Sequence, residues 1–160
     1  MDSIEAYFNG ERLQCVVGLI VSVVIVAFSV SFLFQQKVFF KGIAYVAIPL
    51  SALLIIICTG VIFRTSKDIS RVTTFKEVTP EKIQSEEIPR MEKVMKSFGV
   101  IKKVELAFFI IGLGLIFISW RNDLLRGVAV GLLIMGASLY VFDHLAESRG
   151  EAYIQFLKSV

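Results

Sequence analysis

The side chains able to do chemistry in this sequence gather in short stretches beside long apolar runs. Asn9, Glu11 and Arg12 precede the first run, Glu105 opens the third, and Asp143, His144, Glu147 and Arg149 follow the fourth. A carboxylate at the edge of hydrocarbon is costly unless paired or wetted. Glu105 therefore needs a partner, and a salt bridge to Arg12 or Arg149 between bundled helices is the expected one. The sharper alternative is a polar pocket between helices that grips a ligand headgroup or an ion. His144 and Glu147 stand three apart, on one face of a helix, a spacing that metal sites use. A carboxylate-bridged di-metal bundle needs a second His-bearing motif, which the chain lacks, so no metal site is assigned.

Other chemistries find no purchase. No G-x-S-x-G, Walker loop, H-E-x-x-H or dinucleotide fingerprint occurs, so the sequence assigns no catalytic residue and no cofactor. Cys15 and Cys58 lie inside apolar runs without a C-x-x-C spacing and read as small buried hydrophobes. The basic central stretch is diluted by Asp68, Glu77, Glu81, Glu86, Glu87 and Glu92, which argues against nucleic acid as a partner.

The elements that hold these residues follow from composition. Of 160 residues, 56% are hydrophobic, and the mean hydropathy is +0.75. A water-soluble globule of this size cannot bury so much apolar surface, so membrane lipid is the expected surrounding. Uncharged or nearly uncharged runs cover 13–34, 42–63, 104–120 and 127–142. The first two reach ~33 Å as helices, about the thickness of the hydrocarbon layer. The fold expected is an all-α, single-domain integral membrane four-helix bundle made of two helical hairpins. Pro49 inside the second span predicts a kink without a break. The acidic start of the chain and the length of the first run argue for a span and against a cleaved signal peptide.

Basic residues set the expected orientation. Thirteen of the 17 Lys and Arg lie at the two termini and in the central segment 64–103, and four lie in the short connections 35–41 and 121–126. The positive-inside rule puts both termini and the central segment on the cytoplasmic side. Within that segment, Thr79-Pro80-Glu81 and Pro89 read as helix starts. Met91, Val94, Met95, Phe98 and Ile101 then form an apolar stripe on a helix running into the third span. The stripe either covers the inner mouth of the bundle or docks a partner helix.

The hairpins echo one another faintly. Glu11 and Glu105 are each followed by Gly-Leu, at Gly18-Leu19 and Gly112-Leu113, and Lys41-Gly42-Ile43-Ala44 matches Arg126-Gly127-Val128-Ala129. Such a repeat implies an axis along the membrane normal. Gly112, Gly114, Gly127, Gly131 and Gly136 predict close helix packing. Mid-span polarity is limited to hydroxyls such as Ser22, Ser29, Ser31, Ser51, Thr59 and Ser138, too little for an ion path unless an oligomer lines a pore.

Three stretches carry a resemblance. They are Phe8-Asn9-Gly10-Glu11-Arg12-Leu13-Gln14, then Ile88-Pro89-Arg90-Met91 with Val94-Met95 and Phe98, then Asp143, Ala146-Glu147, Arg149-Gly150 and Tyr153. Together they resemble small four-span bacterial inner-membrane proteins encoded near polymorphic or type VI secretion toxins. That resemblance implies an immunity role, with a toxin or another membrane protein as partner. The chain is also similar in size and topology to four-span glutathione-linked membrane enzymes, and has a Glu-Arg pair. Val16 stands where those enzymes carry an Asn, which speaks against a glutathione site. The expectation is therefore a non-enzymatic binder, with a small enzyme acting on a lipid or thiol as the alternative. The contact residues expected are the polar set above together with Met91, Met95 and Phe98.

Overall fold

A computed structural model describes residues 3–79 and 81–159. Four long helices carry almost the whole chain: α1 (Ser3–Leu33), α2 (Val38–Val78), α3 (Ile88–Ile118) and α4 (Asp123–Ser159). One π-helical turn, Ile83–Glu87, leads into α3. Helices α1 and α2 form one antiparallel hairpin and α3 and α4 the other, while α2 packs on α4 to join them. Both hairpin connections are tight. Asn122 closes the second by accepting a hydrogen bond from the Leu125 N–H through its side chain, capping α4.

Helices α1, α2 and α4 are each long and apolar enough to cross a membrane. Their outward faces carry large apolar side chains: Phe28 is 64% exposed and Ile56 69%, a surface that water would not tolerate. Helix α3 differs because Lys102, Lys103 and Glu105 fall within its last 18 residues. Only 106–118 is free of charge, or ~20 Å of helix. Pro49 sits inside an unbroken α2.

The central segment is built otherwise than as a loop. At 41 residues, α2 is ~60 Å long, about twice the hydrocarbon thickness, so it continues well past the apolar run. Helix α3 begins at Ile88 with Pro89 in its first turn, and runs on without interruption into the apolar stretch. The expected start at Thr79-Pro80-Glu81 includes Pro80, which lies outside the described residues. The ends of α1, α2, α3 and α4 thus stack into a helical extension at the termini end of the molecule.

A single seam shows how the chain adapts along its length. On α2, Ala44, Ser51, Cys58, Thr65 and Val72 are all buried, seven residues apart. On α1 the buried positions Phe8, Cys15, Ser22 and Ser29 keep the same step, which matches the coiled-coil period of antiparallel helices. Toward the hairpin turns the seam holds only small residues. At the termini end it gains Phe8 and Val72, which join Ile4, Ile83, Met91, Tyr153 and Leu157 in an apolar core.

Between the hairpins, α2 and α4 meet backbone to backbone. A Cβ on Gly42 would overlap the Leu124 carbonyl oxygen, and one on Gly127 the Phe39 carbonyl oxygen. Each clash falls three residues before the opposite glycine, so this contact is reciprocal and centred on the Lys41-Gly42/Arg126-Gly127 echo. Gly131 extends it against Ile43 and Val46, while Gly112 and Gly136 serve the α3–α4 contact. Gly114 does not take part, contrary to expectation: it faces open space, on the side of α3 turned away from α4. Gly18 and Gly112 also have unlike surroundings, Phe142 and Cys58 for the first, Ala129 and Leu133 for the second.

Candidate functional site

The three stretches that carry the resemblance converge at the termini end. Tyr7 of α1 stacks on Tyr153 of α4 with ring centroids 4.1 Å apart, and Phe8 meets Tyr153 edge-on at 5.7 Å. Gly10 lies against the Arg149 side chain, and Gly150 against the sulfur of Met95. Small residues let α4 approach α1 on one side, at Gly10, and α3 on the other, at Gly150, with the aromatic rings packed between the extensions. Met91 is fully buried there, and its sulfur accepts a hydrogen bond from the Tyr7 hydroxyl at 3.9 Å. Met95 and Phe98 are half-buried along the same face of α3.

At the heart of this end is a residue that sequence reasoning passed over as one acid among many. Glu87 is 1% exposed, and four donors surround its carboxylate. Arg90 reaches it through Nε at 2.9 Å and Nη2 at 2.6 Å, Arg71 at 3.2 Å and the Tyr153 hydroxyl at 3.3 Å. These fill about four lone-pair positions, the capacity of an ionised carboxylate. Burial pushes the Tyr7 and Tyr153 hydroxyls well above the usual phenol range, so both stay neutral donors. The π turn brings Ile83 and Glu87 to the buried side together. A signal did exist: Glu87 stands three residues before Arg90, next to Met91 at the start of the apolar stripe.

From Glu87 a ladder of alternating charge runs toward the apolar segment. Arg71 also contacts Asp68 at 3.3 Å, Asp68 meets Arg64 at 3.7 Å, and Arg64 meets Glu11 at 3.3 Å. Glu11 is thus paired across α1 and α2. Burial pushes its carboxyl above the usual range, and the Arg64 charge offsets this only in part.

The remaining expected residues divide into two clusters on opposite sides of α4. Facing α3, Glu105 is buried beside the Asp143 carboxyl. Lys102 ion-pairs with Glu147, and the His144 ring lies 3.5 Å from the Lys102 ammonium and 3.8 Å from Glu147. The hydrogen bond and charge of Glu147 hold the Lys102 ammonium above its usual range despite some desolvation. The expected bridge from Glu105 to Arg12 or Arg149 does not form. Arg12 is exposed on α1, which flanks the opposite side of the molecule from α3. Arg149 stands six residues past Asp143, which rotates it by ~600° around α4 and away from α3. Asn9 is half-buried on α1. Among the described residues, no three His, Cys, Asp or Glu side chains converge as a metal site would need.

Facing α1, Arg149 closes the end of an apolar crevice of about 390 Å³ between α1, α2 and α4. Gln14 spans the same end, donating to the Phe142 carbonyl at 2.5 Å. The crevice walls are Leu13, Val17, Val21, Leu54 and Leu139, with Ser22, Ser51 and Ser138 among them.

No protein family, curated protein or solved structure matches the chain.

Proposed function

We propose that the chain crosses the inner membrane of a bacterium four times, with both termini and the helical extension in the cytoplasm. The charge asymmetry supports the orientation. The fourth span is α3: it lies antiparallel along α4 from a tight turn, so its 13 uncharged residues run beside a helix that can cross the bilayer. Lys103 then sits where its ammonium group can extend into the headgroups, and Lys102 is held by Glu147 of α4.

On this topology the protein is a non-enzymatic binder of a protein partner, and its specific form is an immunity protein against a toxin acting in or across the inner membrane. One observation carries the reading: among the described residues, the folded structure beyond the apolar segment lies at one end, built on the Glu87 cluster, while the other end is two tight turns. A partner therefore has a shaped surface on one side only. A toxin working outside the membrane would meet almost nothing.

The test is photo-crosslinking from the exposed positions Glu92 and Lys96 on the extension and Phe34 and Trp120 at the turns, in cells challenged with a candidate toxin. A discrete crosslinked partner from the extension alone, together with protection lost in Glu87→Ala, supports the reading. Crosslinks from the turns alone contradict it.

A second reading, a small enzyme at the inner leaflet, rests on the juxtaposed Glu105 and Asp143 carboxyls, the kind of pair that acid–base chemistry uses. Protection retained in the Glu105→Gln, His144→Ala double variant excludes it.

A further inference from the structure

We propose that the crevice between α1, α2 and α4 is a binding site for one anionic phospholipid, its phosphate on Arg149 and an acyl chain along α1. The inference stands apart from the identity of any protein partner.

Charge carries the first part of the argument. The Nε and Nη2 atoms of Arg149 are buried, and neither has a hydrogen-bond partner among the described residues. The buried or half-buried charges around it are mostly answered, Glu87 by two arginines and a tyrosine, Glu11 by Arg64 and Glu147 by Lys102. Glu105, whose Oε2 is also unpartnered, belongs to α3, on the other side of α4. A guanidinium with two dry, unpaired donors is costly, and its fork geometry suits the oxygens of a phosphate. Gly10 leaves room for it, since even a Cβ there would come within 3.3 Å of the Arg149 Cδ. Beside it the Gln14 Oε1 atom is also buried without a partner, so the same end offers an acceptor. A glycerol headgroup supplies both complements at once, phosphate oxygens for Arg149 and a hydroxyl for Gln14.

Shape carries the second part. From Leu13 to Ile25 the crevice follows α1 for twelve residues, ~18 Å, which is about the depth of one leaflet. Its polar end lies where α1 and α4 leave the apolar run, and its walls are aliphatic. It opens sideways between α1 and α4, the direction from which a lipid enters.

Arg12 supplies an internal control. It sits near the same level on α1, is exposed, and has none of the crevice around it. Diffuse attraction to anionic lipid would use Arg12 and Arg149 alike.

The experiment is native mass spectrometry of the full chain in detergent, titrated with dioleoylphosphatidylglycerol or dioleoylphosphatidylcholine. The wild type should retain about one phosphatidylglycerol, at least ~10-fold more tightly than phosphatidylcholine. Arg149→Gln should abolish that preference and Arg12→Gln leave it intact. Ser138→Trp, which fills the exposed wall of the crevice without touching Arg149, should expel the lipid while the thermal midpoint holds. Equal retention of the two lipids, or equal losses in the two arginine variants, overturns the proposal. So does a protein dimer seated on the crevice that Ser138→Trp dissociates with no lipid retained.

Discussion

The two ends of the α1–α2 seam make the instructive comparison. The seven-residue step is the same throughout, yet Ser29 and Ala44 occupy it near the turn and Phe8 and Val72 near the termini. In water a seam is held by removing large apolar surface from solvent, so large side chains point inward. In lipid that gain vanishes, because hydrocarbon surrounds the helices already. Close approach of backbones through Gly, Ala, Ser and Cys then does the work, and the large side chains turn outward. On the proposed topology one periodic pattern changes solvent half-way along, and buried residue size marks where.

The harshest way to break the comparison is to enlarge a contact in the apolar half. Gly127→Leu collides with the backbone of α2, which no side-chain rotation relieves, so its cost should exceed the ~1–3 kcal/mol usual for overpacking. The two hairpins, joined by one chain, should splay apart and the protein elute earlier on size-exclusion chromatography in detergent, whereas Gly114→Leu, facing open space, should migrate as the wild type. Next in size is truncation at the other end: Phe8→Ala should lose about 3 kcal/mol in chemical denaturation. Ser29→Ala on the same seam should stay within about 0.5 kcal/mol.

Glu87 sharpens the contrast, since it centres a closed charge cluster at the termini end. Glu87→Gln leaves Arg90 and Arg71 without their carboxylate, and about 2 kcal/mol should be lost after allowing for the partial exposure of both arginines. The smallest effect concerns Glu11. Its carboxyl is raised in the folded state, so the folded protein binds the proton more tightly than the unfolded chain does. Stability should therefore fall as pH rises from the ordinary carboxylate range through the raised value. Glu11→Gln should flatten that slope, a change below about 1 kcal/mol, read from denaturation midpoints across pH.

Much of this was legible from residue order. Uncharged runs located the apolar helices, and Pro89 with the Met91 stripe located the start of α3. Partners across helices were not legible, because they depend on rotation about each helix axis. Glu105 was assigned an arginine, but α4 turns Asp143 toward α3 and Arg149 toward α1. Glu87 escaped notice because its environment comes from Arg71, Arg90 and Tyr153, residues that meet only after folding. The seven-residue seam could have been read, since small residues recur at 15, 22 and 29 and again at 44, 51 and 58, but polar serines hid it from a count of apolar positions.

The most direct test is a spin-label accessibility scan down α2 and α3 of the protein in lipid bilayers, using the outward-facing positions Ile56, Lys67, Lys96 and Ile110. Labels at Ile56 and Ile110 should be reached by oxygen and shielded from a water-soluble nickel complex, and labels at Lys67 and Lys96 the reverse. A label at Ile110 open to the nickel complex would contradict the account, because α3 would then lie outside the bilayer and the extension could not stand on four spans.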